Sequence, residues 1–209
     1  MGIVERRERE KLERRNSILE SAEELFFQNG YEKTRMLEIA DRCELSKGAL
    51  YLYFNNKEEL AKAVVVRAHD ILLELLQENA SRAETGVEKI EAMLQALLTV
   101  YRDHYRYFYL AFVLESHLQD YLIGDRKWPE RVDRIDRIHS LAAEVIRQGQ
   151  RDGTIRAEVE PELAAMTAMT AAEGFMHRLF LFGSDVCNNR YATDALIESF
   201  IKILVSSVA

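Results

Sequence analysis

The stretch T-R-M-L-E-I-A-D-R-C-E-L-S-K-G-A-L-Y-L-Y-F-N-N-K, residues 34–57, is the most informative part of this sequence. It contains two short segments with helical apolar spacing, separated by a four-residue turn at 42–45. Thr34 and Ser46 precede these segments, where a hydroxyl oxygen can accept a hydrogen bond from a free backbone amide. Two short helices joined by a tight turn form a helix-turn-helix, whose second helix can enter the DNA major groove. The spacing therefore predicts such a motif at about residues 35–54.

Helical periodicity continues on both sides of this motif. An apolar stripe runs from Arg14 to Phe27, and Asn29-Gly30 follows it as a stop signal. Downstream, long helices are predicted at Lys57 to about Asn79, Val87–Tyr101, Tyr105 to about Leu118, Pro129 to Gly149–Gly153, Pro161–Leu181 and Thr193–Val205. The predicted fold class is all-α with about nine helices. We expect an N-terminal three-helix DNA-binding domain at 1–56 and a helical-bundle domain for effector binding and dimerisation at 57–209.

Composition excludes several other classes of protein. The 209 residues include only 2 prolines and 9 glycines, and 48% are hydrophobic, which suits a packed core and not a collagen-like or disordered chain. Cys43 and Cys187 are far apart and form no C-x-x-C pair, so a disulfide framework is not expected. The first residues are charged, and no run of ~18 uncharged apolar residues follows. We therefore expect a cytoplasmic protein with no membrane partner.

The charge distribution qualifies this picture. A net charge of −7 argues against a protein that coats nucleic acid non-specifically. Between Lys33 and Lys57, however, five cations face three anions, a net charge of +2 that leaves −9 for the rest. We expect selective DNA binding with weak non-specific affinity and marked salt sensitivity, because few cations are available to displace counterions.

The motif resembles the N-terminal DNA-binding domain of the tetracycline-repressor (TetR) family. The ordered set S-K-G-A-L-Y-x-Y-F-x-x-K-E-x-L, residues 46–60, carries the resemblance, and residues 14–31 are similar to that family's first helix. The similarity covers roughly Arg15 to Val65. Glu44 stands where the family's turn usually has glycine, so this residue must tolerate an unusual backbone angle. Tyr53 stands where a histidine is common and retains a hydrogen-bonding group.

The resemblance implies DNA-contacting roles for the matching residues. Lys47 and Gly48 fall where the family's recognition helix meets base edges, with Ala49 beside them. The expected phosphate-contacting residues are Thr34, Ser46, Tyr51, Tyr53 and Lys57, and Arg35 is a further expected DNA-binding residue.

Simpler interpretations of these residues stay open at this point. The tyrosines could be packing residues and the lysines ordinary solvated side chains. A cation at a helix start opposes the helix dipole unless an anion is present, which favours a phosphate partner. The charged segment from Glu5 to Arg15 is expected to be a solvated helical extension, with an arm that touches DNA as the alternative.

The resemblance also implies an effector pocket and a dimer interface in the C-terminal domain. The candidate pocket residues, for which plain core is the alternative, are Tyr101, Tyr105, Phe108, Phe112, His117, Trp128, Phe175 and Arg178. A mostly apolar pocket suits a small hydrophobic or aromatic effector. The family's dimer uses its last two long helices, which here gives Ala164, Ala168, Ala171, Ala172, Phe175, Leu196, Phe200 and Ile203 as interface candidates.

The expected function is therefore that of a homodimeric transcriptional regulator, a repressor of pseudo-palindromic operators released by a small apolar effector. The alternative is a helical module that binds a ligand or protein without operator binding. Glu173 and His177 form only an isolated i, i+4 pair, and no P-loop, G-x-S-x-G or H-E-x-x-H sequence is present. We expect no enzyme activity, no metal and no cofactor.

Overall fold

The computed structural model describes residues 2–118, 128–183, 185 and 190–209, without the side chain of Ile3. Cys187 lies outside the described residues. Over these ranges the chain forms nine α-helices and no strand, which confirms the predicted all-α class. They are α1 (Ile3–Asn29), α2 (Met36–Arg42), α3 (Lys47–Tyr51), α4 (Lys57–Ala80), α5 (Gly86–Asp103), α6 (Tyr105–His117), α7 (Pro129–Asp152), α8 (Pro161–Phe182) and α9 (Thr193–Ser206).

The chain divides into two compact units. The N-terminal unit consists of the described residues in Met1–Ala68 and Leu110–Lys127, and the bundle unit of those in His69–Tyr109 and Trp128–Ala209. The predicted boundary between residues 56 and 57 falls inside the N-terminal unit. The assignment of DNA binding and effector binding to two domains stays a prediction.

The N-terminal unit is built on the C-terminal half of α1. Ile18, Leu19 and Phe26 are buried, together with Ile39 of α2 and Leu50 of α3. The side chains described before Ile18 are all exposed, although the helix runs without interruption from Ile3. The charged N-terminal segment is thus an exposed helical extension of α1.

The bundle unit packs α7 against α5 and α8, and α9 against α5. Its core is aliphatic and includes Leu73, Met93, Ile138 and Ile146. No helix in the described part of the chain is long and apolar enough to cross a membrane.

Two glycines set the distance between α5 and α7. A Cβ built on Gly86 would lie 2.1 Å from the Cα of Gly149, so the two backbones are in direct contact. The sequence pattern predicts that Gly149 helps to end α7, but Gly149 is buried inside this helix. The helix ends at Gly153, whose φ of 78° is the left-handed conformation that glycine adopts without strain.

Candidate nucleic-acid interface

Helix α2 begins one residue later than predicted. Arg35, not Thr34, occupies the N-cap position, and its backbone N–H donates to the Glu38 carboxylate at 2.8 Å. Thr34 is only 1% exposed, and its hydroxyl donates to the carbonyl oxygens of Leu25 at 3.2 Å and Gly30 at 2.9 Å. The hydroxyl therefore closes the loop between α1 and α2.

The turn after α2 has the geometry of a Schellman motif. The N–H of Leu45 donates to the carbonyl of Ala40 at 2.9 Å, and the N–H of Glu44 donates to that of Asp41 at 3.1 Å. Glu44 has a φ of 55°, the conformation for which glycine is preferred. The expectation that Glu44 tolerates an unusual backbone angle is confirmed.

Helix α3 is short and capped as predicted. The Ser46 side-chain oxygen accepts a hydrogen bond from the N–H of Ala49 at 3.2 Å. Leu50 is completely buried and anchors the helix, while Lys47 and Gly48 are exposed. A Cβ at Gly48 would meet no atom within 4 Å, so this side of α3 is open to an approaching partner.

Tyr51 and Lys47 share the exposed side of α3. The Lys47 ammonium lies 5.8 Å from the centroid of the Tyr51 ring, within the range of a cation–π contact. Tyr51 is 38% exposed, and Tyr53 is half-buried. The exposed side of α3 therefore offers an ammonium group and a phenol hydroxyl next to open backbone.

Lys57 has structural partners that the sequence did not reveal. Its ammonium donates to the carbonyl oxygens of Tyr31 at 2.8 Å and Glu32 at 3.2 Å, and lies 4.3 Å from the centroid of the Tyr31 ring. These groups compensate a cation at the start of α4, a role for which the sequence pattern favours a phosphate. The contacts join α4 to the loop between α1 and α2, more than twenty residues away in sequence.

A partly buried ion pair connects α1 and α4. An Arg67 guanidinium nitrogen lies 3.6 Å from a Glu23 carboxylate oxygen, and another lies 3.3 Å from Glu20. Burial raises the pKa of the Glu23 carboxyl to about 7, since loss of water disfavours the charged form more than Arg67 favours it. Helical periodicity contains no signal for this pair, because the partner is far away along the chain.

The predicted DNA-contacting residues differ in accessibility. The exposed members are Arg35, Ser46, Lys47, Gly48 and Tyr51, the half-buried members are Ala49, Tyr53 and Lys57, and Thr34 is buried. The five exposed residues lie at α3 and at the start of α2.

The predicted effector residues do not form one group. Phe112 and His117 belong to the N-terminal unit, where the His117 ring contacts Tyr31. In the bundle unit, the rings of Tyr101 and Tyr105 contact each other and Phe180, and the Tyr105 hydroxyl donates to the Phe180 carbonyl at 3.2 Å. The other members are Phe108 and Trp128, which are buried, Phe175, which is half-buried, and Arg178, which is exposed beside Phe182.

The bundle unit also contains a cavity of about 270 Å³, lined by residues of α5, α7, α8 and α9. Its wall is largely apolar and includes Met93, Ile146, Ala165 and Leu204, with Glu160 among the few polar residues. None of the eight predicted effector residues lines it. Among the residues the structure describes, no group of three or more His, Cys, Asp or Glu side chains could hold a metal ion.

The predicted dimer residues of α8 share one side of the helix, which differs from the side that carries the exposed Leu163 and Leu181, and the other predicted residues lie on α9. Ala172 is buried by the core of its own chain, and Phe175 stacks on Phe200 of α9 with ring centroids 4.3 Å apart. Ile203 is exposed. The remaining members, Ala164, Ala168, Ala171 and Leu196, are half-buried.

A short exposed α3, joined to α2 by a tight turn and packed with α1, is the arrangement of a helix-turn-helix unit. Residues 18–64 match the family described as "Bacterial regulatory proteins, tetR family". The match confirms the resemblance of the helix-turn-helix segment to the TetR family that the sequence indicates.

Similarity to individual regulators extends beyond this segment. The chain is 26% identical over 198 residues to the regulator TtgR of Pseudomonas putida, covering 88% of each chain. It is 25% identical over 157 residues to UidR of Escherichia coli K12, covering 75% of this chain and 74% of UidR. Over 101 residues it is 33% identical to the probable regulator ArpR of Pseudomonas putida, covering 48% of this chain and 47% of ArpR.

Solved structures share the fold over nearly the whole chain. The fatty acid degradation regulator FadR of Bacillus halodurans superposes with a TM-score of 0.72 at 17% identity, covering 91% of this chain and 94% of FadR. GusR of Salmonella enterica gives a TM-score of 0.71 at 21% identity, covering 93% and 95% of the two chains.

Proposed function

We propose that this regulator is a homodimeric repressor that binds pseudo-palindromic operator DNA in the cytoplasm and is released by a small, largely apolar effector. The observation that carries the proposal is the exposed side of α3, where Lys47, Gly48 and Tyr51 surround open backbone above the buried Leu50. A short helix of this kind fits the major groove with its N-terminal residues near base edges.

The residues of this surface would have two roles, which are contact with base edges and contact with phosphates. Lys47 suits hydrogen bonding to a guanine edge, and Gly48 permits close approach of the backbone. Phosphate contacts would come from the exposed Arg35, Ser46 and Tyr51, with Ala49 and Tyr53 at the border of the surface. Thr34 and Lys57 would act indirectly, because their polar groups already hold the loop between α1 and α2.

Dimerisation is supported by an exposed apolar stripe on α8. Leu163 is 64% exposed, and Met166 and Leu181 lie on the same side of the helix. Such a surface is costly in water unless another chain covers it. Two copies related by a two-fold axis would place their recognition helices to meet successive major grooves, roughly 34–36 Å apart.

Effector release is supported by the aromatic and apolar interior of the bundle unit. The solved neighbour AibR is described in complex with isovaleryl coenzyme A and operator DNA, at 21% identity and a TM-score of 0.65. An effector that lowered operator affinity ~100-fold would need about 2.7 kcal/mol of coupling free energy. Such a coupling lies within the usual range for allosteric proteins.

The direct test is footprinting of the purified protein on DNA from around its own gene. The wild type should protect a pseudo-palindromic site at moderate salt. The double variant Lys47→Ala/Tyr51→Ala should bind that site at least ~100-fold more weakly. The control is Lys62→Ala, which removes an α4 lysine whose ammonium lies 3.3 Å from Glu58. A wild type that protects no site, while folded and dimeric, would overturn the proposal and favour an interaction module without operator binding.

A further inference from the structure

The N-terminal extension of α1 carries three cations on one side. Arg7, Lys11 and Arg14 stand at i, i+4 and i+7, which places them in one row along the helix. We propose that this row, the basic stripe, binds phosphates of the DNA that flanks the bases read by α3. The inference rests on the proposed DNA-binding function and adds a second contact surface to it.

The basic stripe continues the side of α1 that packs on the N-terminal unit. Ile18 follows Arg14 at i+4 and is completely buried, so the row of cations runs directly into the core-facing row. Arg15, at the base of the extension, lies over the ring of Phe54 at 5.1 Å, and Phe54 comes shortly after α3. The extension therefore leaves the unit close to the end of the recognition helix.

The stripe differs from the rest of the extension in its pairing. Arg6 and Arg9 lie elsewhere on the helix and pair with Glu10 at 2.7 Å and Glu13 at 3.6 Å. Over the described residues, none of the three stripe cations is in an ion pair. The charges of the extension as a whole nearly cancel, with six cations and four anions from Glu5 to Arg15. Its excess positive charge is therefore concentrated in the stripe.

The arrangement is unfavourable for the protein alone and favourable beside a polyanion. Like charges at i, i+4 weaken a helix by roughly 0.2–0.5 kcal/mol per pair. Beside DNA the same cations displace condensed counterions and gain free energy. The three cations are distributed over eight residues and span about 10 Å along the helix, which corresponds to about three phosphate steps at ~3.4 Å each along one DNA strand.

Salt dependence of operator binding tests the inference. The stripe variant is Arg7→Gln/Arg14→Gln, and the matched control is Arg6→Gln/Arg9→Gln, which removes the same number of arginines from the paired side. Each lost phosphate contact should reduce the slope of log K against log salt by about 0.9. The stripe variant should therefore lose about 3.6 from the slope per dimer on operator DNA with ten or more flanking base pairs on each side. The control should lose less than half of that.

Three further measurements separate the outcomes. Circular dichroism should give equal helix content for both variants. Operator preference over unrelated DNA should be unchanged in the stripe variant, because phosphate contacts carry no sequence information. On DNA trimmed to the operator, the two variants should have the same slope. A wild type that binds no DNA contradicts the proposed function itself. A wild type that binds, with equal slopes for both variants on flanked DNA or a persisting difference on trimmed DNA, overturns the basic stripe alone.

Discussion

At Glu44 the backbone adopts a conformation that β-carbons disfavour. Its φ of 55° closes the turn between α2 and α3, and the hydrogen bonds from Glu44 and Leu45 to the last turn of α2 require this geometry. A left-handed conformation costs a residue with a β-carbon roughly 1–2 kcal/mol. The turn that orients the recognition helix is therefore held against local strain.

Replacing Glu44 with glycine should stabilise the protein relative to replacement with alanine. Both variants remove the carboxylate, but only Glu44→Gly removes the strained β-carbon. We expect Glu44→Gly to be more stable than Glu44→Ala by about 1 kcal/mol, after glycine's larger unfolded-state entropy is included. Calorimetric unfolding of the two variants side by side measures this difference. Equal stabilities would mean that the turn relaxes when position 44 changes.

Glu23 should make stability depend on pH. Its folded pKa of about 7 lies above the ordinary carboxyl pKa of 4.5, so between these two values the folded state holds a proton that the unfolded state has already lost. Stability from this group is therefore present below pH 4.5 and is lost as the pH rises towards 7 and above. Relative to wild type, the free energy of unfolding of the neutral variant Glu23→Gln should increase by up to about 3 kcal/mol as the pH rises from 4.5 to 8. Denaturant unfolding at both pH values measures the gain, and a pH-independent difference would contradict it.

At the scale of helices, the contact between α5 and α7 allows no side chain at residue 86. A β-carbon there would lie 2.1 Å from a backbone atom of Gly149, and backbone cannot move aside as a flexible side chain can. Gly86→Ala should destabilise the protein by about 3 kcal/mol. The control is Gly174→Ala on α8, where a β-carbon meets nothing within 4 Å and alanine should add up to about 1 kcal/mol of helix stability. Thermal unfolding of the two variants should shift in opposite directions.

Local signals predicted the helices well and their distant contacts poorly. Ser46 caps α3, and Pro129 and Pro161 open α7 and α8, because capping hydroxyls and proline act within one turn of the chain. The hydrogen bonds of Thr34 and Lys57 were not predictable in this way. Their partners depend on how helices pack, and polar residues at helix starts have the same appearance in sequence whether they face DNA or a neighbouring loop.

The exposed apolar stripe on α8 concerns the assembly of the whole molecule. Gly174 lies between Leu163 and Leu181 on this side, opposite the inward row of Ala165, Ala172 and Leu179. Under the proposed dimer, Gly174→Arg should leave the helix content intact and convert the dimer to monomers, because a charge would be buried at the interface. Gly174→Ala should remain dimeric. Sedimentation equilibrium distinguishes these outcomes, and a dimeric Gly174→Arg variant would place the interface elsewhere.

The single tryptophan of the chain has an experimental consequence. Trp128 is only 4% exposed, precedes α7 at its N-cap position and belongs to the bundle unit. Tryptophan fluorescence therefore reports on the surroundings of one ring in the bundle unit, because the chain has no tryptophan near α3 or elsewhere. Titration of candidate effectors against this intrinsic fluorescence would give binding isotherms on the unlabelled protein, with or without operator DNA.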